Sequence, residues 1–357
     1  MNKLYAGFGR LDITPPLGIA ISGYYKERYA EGVLDPLQTV ALALQCGDTK
    51  VVLISVDNCG LHKEAADLYR GAAAKATGLP VENIYLHATH THTGPSVEPA
   101  RRGEIEQQYY DLLTRKVADV AVLALQDLKP AKMGWGIGQA PNIAFVRRFR
   151  MKDGSCKTNP GVDNPDIVAP IGDVDERVGI LRFDQEGGKR LVLVNFADHP
   201  DVVGGNLISG DWPSLLRGTV EKVLDDTCCI TLNGFQGDVN HVNVHPRGGY
   251  LNDMFMDFDD VARGYEHAKY MARVVTGGVL QAFDKVKYVE VDSIRSLIRT
   301  ARIPANLATA EELVEARKIN ELHEAGRDDL IPYRYDAHHR GGRGCQNAEV
   351  RERSGIL

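Results

Sequence analysis

Hydrophobic and polar positions follow two different periods along this chain of 357 residues. Segments with a period of two that end at Gly, Pro or Asp predict strands, whereas segments with a period near 3.6 predict helices. The predicted strands are 4–13, 40–46, 51–56, 84–88, 178–183, 191–196, 228–232 and 287–299, and the predicted helices are 63–77, 104–128, 213–224, 265–283 and 309–325.

The order of these elements predicts the fold class. Two hairpins, 40–56 and 178–196, are mixed with strands that are connected through helices. Such a mixture is typical of an α/β architecture in which helices flank a mixed β-sheet. Because no repeat or low-complexity linker interrupts the pattern, we interpret residues 1–332 as one domain.

Composition and charge exclude several classes of protein. The chain is 43% hydrophobic with a formal net charge of −6 and no basic run, which argues against a nucleic-acid partner. It has no run of about 18 apolar residues, so no membrane span is expected. Six cysteines without CxxC spacing predict free thiols in a reducing compartment, and therefore a cytoplasmic location.

Polar residues are unusually dense where three predicted strands end, at 88–95, 195–211 and 233–243. Loops from several strand ends meet at one edge of a sheet that contains parallel strands, so these distant segments can share a pocket. In an extended segment His90 and His92 project to the same side and His87 to the other. We therefore expect the pair to serve one site and His87 to be structural.

Histidine is the commonest metal ligand in proteins, and zinc hydrolases use three protein ligands with one position open for water. His90 or His92 together with His199 would supply two of these three ligands. A water molecule on the ion would then be the nucleophile, with its pKa lowered to about 7. The alternative is that these histidines only make hydrogen bonds at strand ends. Asp211 is a candidate N-cap for the helix 213–224.

An ordered series of motifs resembles the neutral/alkaline non-lysosomal ceramidase family, and in particular its shorter bacterial relatives. The motifs are GFGRLDITPPLGIAISGY, DPLQTVALALQCGDTKVVLISVDNCGL, ATHTHTGP, FADHP followed by NLISGD, and QGDVN, and the resemblance runs from about Leu4 to Pro332. It implies a mixed α/β catalytic domain and zinc-dependent hydrolysis of an amide, such as the N-acyl bond of ceramide in lipid metabolism. The implied partner is a small acyl-amide substrate.

The resemblance also implies roles for individual residues. His90, the first histidine of HTH, and His199 in FADHP match the zinc-binding histidines, while His92 matches a residue that faces the substrate. Arg147 matches a substrate-contacting arginine. Asn240 stands where the ceramidases have a serine with a catalytic role, and its amide can orient a water or the scissile carbonyl but cannot act as a nucleophile.

The C-terminal part departs from the family pattern. The family takes a glutamate and a tyrosine as further zinc ligands from a region that has no counterpart here, and residues 333–357 have no strand or helix periodicity. We interpret this tail as a frameshift product, which sequencing of the encoding DNA would test. A second hypothesis follows, namely an inactive or binding-only relative with an incomplete metal site. A sheet left without its C-terminal elements is also expected to self-associate.

Overall fold

A computed structural model describes residues 3–24, 27–97, 103–245, 255–256, 262–300, 302, 307–327 and 330. The chain forms two units. The first comprises Met1–Gly23 and Arg28–Leu297, and the second comprises Tyr24–Glu27 and Ile298–Leu357. The predicted tail, 333–357, lies outside the described residues, and its interpretation stays a prediction.

In the described residues, the first unit contains a large sheet, four α-helices, a 3-10 helix at Val81–Asn83 and several short strands. The helices are α1 (Lys63–Thr77), α2 (Glu104–Gln126), α3 (Asp211–Val223) and α4 (Tyr265–Phe283). The strands are β1 (Leu4–Asp12), β2 (Gly32–Val33), β3 (Gln38–Cys46), β4 (Thr49–Val56), β5 (Ile84–Ala88), β6 (Lys129–Gln139), β7 (Phe145–Val146), β8 (Arg148–Met151), β9 (Cys156–Thr158), β10 (Ile167–Pro170), β11 (Arg177–Gln185), β12 (Arg190–Phe196), β13 (Leu207–Ile208), β14 (Thr227–Asn233), β15 (Val239–Asn240), β16 (Phe255–Met256), β17 (Ala262–Arg263) and β18 (Lys287–Val289).

The large sheet is mixed, as the sequence predicts. Its strand order is β14-β12-β11-β6-β1-β3-β4-β5, and β18 adds a short pairing to β6. Most neighbours are antiparallel, but β12 pairs with β14 and β4 pairs with β5 in parallel. The α/β class with helices around a mixed sheet is therefore confirmed. Both predicted hairpins are present, as the antiparallel pairs β3–β4 and β11–β12.

The sheet consists of two halves that pack against each other. The halves meet where β6 pairs with β1 through only two residues, Lys129 and Pro130. Leu42 of one half and Phe183 and Ile230 of the other half belong to the same buried cluster. The helices α1 and α2 cover the outer face of the first half, and α3 and α4 cover that of the second. The result is four layers, in the order helix, sheet, sheet, helix.

The residue pattern of β3 explains why both faces of each half are buried. Val40 and Leu42 project into the core between the halves, whereas Ala41 and Ala43 belong to the core beneath the helices. All four side chains are 0% exposed. A strand that is apolar on both faces has a continuous run of hydrophobic residues in its sequence, which is typical of sheets covered on both sides. The small alanines leave room for the helix layer to approach.

The longest strand, β6, was absent from the predicted elements because its sequence, KPAKMGWGIGQ, has a proline and three alternate glycines. Glycine and proline weaken a strand prediction. In the structure, the lack of side chains on these glycines lets α4 pack closely against β6. A Cβ on Gly138 would lie 1.9 Å from the carbonyl oxygen of Gly278, and one on Gly136 would lie 3.0 Å from Cβ of Ala282. Only tertiary packing makes these glycines favourable.

Two adjacent glycines of α4 allow a matched test of this close approach. A Cβ on Gly278 would lie 2.6 Å from Cγ2 of Val178, whereas one on Gly277 would meet nothing within 4 Å. We expect Gly278→Ala to destabilise the protein by about 1–3 kcal/mol through overpacking. Gly277→Ala is expected to stabilise it by about 0.5–1 kcal/mol through helix propensity. Urea unfolding of both variants measures the difference, and equal effects would contradict the packing argument.

The other predicted strands and helices agree with the structure to within two residues at each end, except at the end of the first unit. The prediction of strand structure over 287–299 was wrong beyond residue 289, because only β18 pairs with a neighbour there and residues 290–300 are irregular.

In the second unit, α5 (Ala310–Glu324) begins at a capping box. The Thr309 side chain accepts a hydrogen bond from Glu312 N, and Glu312 accepts one from Thr309 N.

Part of the described surface of the first unit forms an apolar depression. Trp135, Ile137, Leu181 and Leu193 line a groove of about 470 Å³ on β6, β11 and β12. Trp135 is 42% exposed and Ile137 is 51% exposed. The self-association expected from the sequence stays a prediction, and this exposed apolar face is where we expect it to occur. None of the helices in the described part of the chain is both long and apolar enough to cross a membrane.

Candidate metal centre

Three loops that leave parallel strands of the large sheet meet at one rim. The β5 exit carries His90 and His92, the β12 exit carries His199, and the β14 exit carries Gln236. Because β12 runs parallel to β14 and β4 runs parallel to β5, the carboxyl ends of each pair lie side by side. The loops that leave these distant strands therefore meet in the structure, as the sequence analysis expects.

The three imidazoles turn the same atom toward a common point. The distances between their Nε2 atoms are 3.2 Å for His90 and His199, 3.3 Å for His90 and His92, and 3.1 Å for His92 and His199. Their ring planes are steeply inclined to one another, at 65° to 85°. The sequence proposed His199 as a ligand together with His90 or His92, and the structure brings all three rings together.

The other ring nitrogen of each histidine faces an oxygen atom. Nδ1 of His90 contacts the carbonyl oxygen of Cys59, and Nδ1 of His199 lies 3.2 Å from the carbonyl oxygen of Gln236. Nδ1 of His92 lies 3.4 Å from Oδ1 of Asp201. The two carbonyls favour the tautomer of His90 and His199 with the proton on Nδ1, and the Asp201 carboxylate favours the same tautomer of His92 through its charge. Three Nε2 lone pairs then face one another, which is repulsive unless a cation lies between them.

The spacing of the three Nε2 atoms fits a metal ion. Zn–N bonds of about 2.0–2.1 Å in a tetrahedral arrangement put neighbouring ligand nitrogens about 3.3 Å apart. The three observed separations of 3.1 to 3.3 Å agree with that value. An acceptor on the opposite nitrogen is also the usual arrangement for a metal-binding histidine. The donor set therefore suits a transition metal such as zinc.

Burial keeps the imidazoles of His90 and His199 in the neutral form that binds metals. Desolvation lowers the pKa of His199 to about 2, with further lowering from His92, Arg147 and His90. Desolvation also lowers the pKa of His90, against a raising effect of the Cys59 carbonyl. A neutral imidazole has a lone pair for the ion, so little free energy is lost to deprotonation at neutral pH.

The loop that carries His90 and His92 has an unusual backbone held by buried hydrogen bonds. His90 has a φ of +70°, in the left-handed region, and its N–H donates to the carbonyl of Asn58 at 2.8 Å. The hydroxyls of Thr91 and Thr93, both 0% exposed, donate to the carbonyl of Ser209 at 2.7 and 3.1 Å. Strained backbone of this kind is found mostly at functional sites.

The loop that carries His199 is held by Asp211. Its Oδ2 accepts hydrogen bonds of 2.9 Å from the backbone N–H groups of Val202 and Val203. The residue has a φ of +55° and lies at the first position of α3, whose N-cap is Gly210. The predicted N-cap position of Asp211 was wrong, because Gly210 is the N-cap and Asp211 is the first residue of the helix; its Oδ1 still accepts the N–H of Trp212 in the first turn, while Oδ2 binds the neighbouring loop. Burial raises its pKa to about 7, against the lowering effect of the backbone donors.

His87 has a structural role, as the sequence predicted. Its Nε2 accepts a hydrogen bond of 3.1 Å from Asn233 N, and its Nδ1 lies 3.0 Å from Oγ of Ser55. The Ser55 hydroxyl in turn donates to the carbonyl of Thr231 at 3.1 Å. These bonds join β4 and β5 of one half of the sheet to β14 of the other half, next to the histidine cluster.

A pH dependence of stability follows from the burial of His87. Desolvation lowers its pKa from 6.5 to about 4, so the unfolded chain binds a proton at pH 5 that the folded chain does not. Its contribution to stability is present above pH 6.5 and is lost as the pH falls toward 4. We expect the free energy of unfolding to fall by about 2 kcal/mol more between pH 7 and pH 5 in the parent than in His87→Gln. Parallel pH profiles in urea unfolding would contradict this.

The remaining two predicted site residues, Arg147 and Asn240, lie at a small two-stranded sheet. β7 pairs with β15, and Arg147 directly follows β7. Arg147 Nη2 donates to the carbonyl of Gly237 at 2.6 Å, and its charge lowers the pKa of both His90 and His199. The guanidinium is therefore within electrostatic reach of the imidazoles.

Asn240 is 2% exposed, and its side-chain amide makes hydrogen bonds within the protein. Its Nδ2 donates to Oδ1 of Asn159 at 3.2 Å, and its Oδ1 accepts from Val242 N at 3.1 Å. These bonds hold the turn that follows β15. Its catalytic role stays a prediction.

Sequence reasoning did not single out the groups that support the imidazoles. Asp201, Gln236 and Cys59 each contact one ring, two of them through backbone carbonyls that any residue type would provide. The only sequence signal was Asp201, a carboxylate two positions after His199. Asp198, directly before His199, is also completely buried, and desolvation raises the pKa of its carboxyl well above the ordinary range.

Comparison with protein-family models gave no match. Among the solved structures that resemble this one are two ceramidases. The neutral ceramidase from Pseudomonas aeruginosa superposes with a TM-score of 0.63 at 18% sequence identity, over 80% of this chain and 45% of that one. A structure described as ceramidase complexed with C2 superposes with a TM-score of 0.61 at 16% identity, over 80% and 44%. The fold is ceramidase-like. The chain spans less than half the length of either protein.

Proposed function

We propose that this protein is a zinc-dependent hydrolase that acts on an amide, or a related acyl bond, of a small substrate. The proposal depends on one observation above all, the three Nε2 atoms that lie 3.1 to 3.3 Å from one another at the sheet rim. The ceramidase-like fold supports the amide as the bond cleaved. When bound, zinc supplies a Lewis acid for a carbonyl and lowers the pKa of a water to about 7.

His90, His92 and His199 are the proposed ligands. This assignment gives His92 a different role from the one implied by the resemblance, which has it face the substrate. Its Nε2 is as close to the other two Nε2 atoms as they are to each other, which favours a third ligand. The Asp201 carboxylate lies 3.4 Å from Nδ1, on the opposite side of the ring. Three protein ligands with one open position are typical of catalytic zinc.

Arg147 is the proposed group that binds the carbonyl oxygen of the substrate. A preorganised cation near the reacting carbonyl stabilises the negative charge that develops on its oxygen. Arg147 is held by the bond from its side chain to Gly237 and by the bond from its N–H to the carbonyl of Asp238 at 2.9 Å. Asn240 is proposed to position this arginine, because it lies on the strand that pairs with β7.

Metal content and hydrolysis test the proposal together. Purified protein should contain one zinc per chain by elemental analysis, and a screen of N-acyl amides of different chain length should reveal hydrolysis. Removing the metal with a chelator should abolish the activity, and adding zinc should restore it. Stoichiometric zinc without hydrolysis of any N-acyl or ester substrate would favour the alternative, a protein that binds a metal without turnover.

His92→Ala distinguishes the two roles of that histidine. If His92 is a ligand, the variant should lose zinc affinity by more than about tenfold, as even supporting groups contribute that much. If His92 only faces the substrate, the variant should retain stoichiometric zinc and lose turnover. Titration with a competing zinc chelator separates these outcomes.

A further inference from the structure

Two residues outside the histidine cluster, Gly23 and Arg28, lie directly against His92. A Cβ on Gly23 would lie 2.7 Å from both Cα and Cβ of His92 and 2.8 Å from its Cγ. Arg28 is only 6% exposed, and its Nη2 donates to the carbonyl oxygen of His92 at 2.6 Å. Both residues lie between β1 and β2, so neither belongs to the strand exits that carry the imidazoles.

Arg28 joins the two loops that supply the proposed ligands. Its Nη1 donates at 2.6 Å to the carbonyl of Gly205, on the loop that leaves β12. The N–H of His92 donates at 3.1 Å to the carbonyl of Pro200 on the same loop. The backbone of His92 is therefore held at its N–H by the β12 exit and at its carbonyl by Arg28, which also binds the β12 exit.

The guanidinium group suits this connection better than any other side chain. Hydrogen bonds from a charged donor are shorter and about twice as strong as those between neutral groups. Arg28 donates three such bonds, since its Nη2 also reaches the carbonyl of Ser22 at 2.6 Å. The donors of arginine form a rigid planar fork, so they fix direction as well as distance, whereas the lysine ammonium is a point charge on a flexible stem.

Gly23 restricts the place of the His92 side chain from another direction. Its φ of +109° is one that residues with a side chain rarely adopt. Because a Cβ there would overlap three atoms of His92, the backbone of residue 23 can lie against this histidine only as glycine. A larger residue would have to displace His92 or the turn itself.

We propose that Gly23 and Arg28 are positioning residues that hold His92 in place as the third ligand of the metal. This inference rests on the proposed metal centre but does not require hydrolytic activity. Neither residue binds the ion, and both act through His92. Three Nε2 lone pairs repel one another before a cation binds, so contacts that keep them together lower the cost of ordering the site. Loss of these contacts should weaken metal binding although every ligand is still present.

A matched pair of glycines tests the contact with His92. Gly18 has a φ of +82°, and a Cβ on it would meet nothing within 4 Å. Gly23→Ala and Gly18→Ala therefore introduce the same kind of backbone strain, but only Gly23→Ala displaces His92. In competition between the full-length protein and a chromophoric zinc chelator, Gly23→Ala should bind zinc about 10–100-fold more weakly than the parent, as supporting groups of metal ligands do. Gly18→Ala should bind it like the parent.

A double variant shows whether the effect passes through His92. His92→Ala removes the imidazole that Gly23 positions, so adding Gly23→Ala to it should weaken zinc binding little further. Non-additivity of this kind is the mark of two residues that act together. A merely structural effect of Gly23→Ala would instead be the same in both backgrounds.

Arg28→Lys tests the second positioning residue. It keeps the charge but loses the fork, and should weaken zinc binding about tenfold or more. The control is Arg182→Lys on β11, because Arg182 donates at 2.7 Å to the carbonyl of Phe283 and at 2.7 Å to Asp184. The control loses comparable hydrogen bonds and should keep the zinc affinity of the parent. Urea unfolding identifies the temperature at which all variants are folded.

The outcomes separate this inference from the proposed metal centre. Zinc affinity equal to that of the parent in both Gly23→Ala and Arg28→Lys would overturn the positioning role and leave the three-histidine centre intact. An equal effect of Gly23→Ala in the parent and in His92→Ala would also overturn it. A parent protein that binds no zinc would overturn the metal centre and this inference together. If Arg28→Lys does not fold, the two glycine variants decide.

Discussion

His199→Ala is expected to lower zinc affinity by more than about 100-fold and to abolish any hydrolysis. His199 is the one imidazole of the cluster that comes from the β12 exit, and the two that remain belong to a single loop. Loss of a direct ligand should cost more than the factor of about 10–100 found for outer-shell groups. Two imidazoles also leave too few protein donors to fix the geometry of a catalytic ion.

Competition between the protein and a chromophoric zinc chelator measures this affinity in the parent and the variant. The matched control is His245→Ala, because His245 is 58% exposed and its Nδ1 lies 3.2 Å from Asp163. The control should bind zinc like the parent. If His199→Ala also keeps stoichiometric zinc with unchanged affinity, the three imidazoles do not share an ion and the proposed function fails.

Arg217→Met is expected to destabilise the protein by about 3–5 kcal/mol, the cost of breaking a buried ion pair from one side. The Arg217 guanidinium donates to Asp57, and the two side chains are only 2% and 1% exposed. Arg217 also donates to Oγ1 of Thr231 at 3.2 Å, and Asp57 accepts from Gln38 N at 2.8 Å. The variant leaves the carboxylate of Asp57 buried without its cation.

Urea unfolding measures this loss as a lower midpoint with an unchanged slope. The pair between Lys63 and Asp67 gives the control, since these side chains are 89% and 54% exposed. Lys63→Met should change the free energy of unfolding by less than about 1 kcal/mol. A similar small effect of Arg217→Met would mean that Asp57 is stabilised by other groups. The prediction also bears on the site, because Asp57 directly precedes the loop of Asn58 and Cys59.

Local sequence patterns were enough to predict where most helices and strands lie. Helix α1 spans the predicted residues because its apolar face keeps a helical period and Gly78, with a φ of +71°, ends it in the left-handed conformation. The strand β5 and the helix α4 also have the predicted bounds. These elements are set by period, caps and breakers, which act over a few residues.

Patterns failed where the deciding contact is distant in sequence. The glycines of β6 look unfavourable for a strand until α4, more than a hundred residues later, packs against them. From the sequence, Asp211 looks like a helix cap, but in the structure it also accepts two N–H groups from the loop after His199, beside the N–H of Trp212 in its own helix. The division of the sheet into two packed halves depends on strands from both ends of the first unit.

The candidate site shows the same division between local and tertiary information. The sequence by itself determined the α/β class and the strand exits that carry polar residues, because these follow from the period and order of the elements. It predicted a common orientation of His90 and His92 from an extended backbone, whereas both residues lie beyond β5 and His90 has a φ of +70°. Only the tertiary structure decided that His199 joins them and that the three Nε2 atoms lie 3.1 to 3.3 Å apart. The physical reason is that ligand spacing depends on pairing between strands and on buried hydrogen bonds between loops, which join residues about a hundred positions apart.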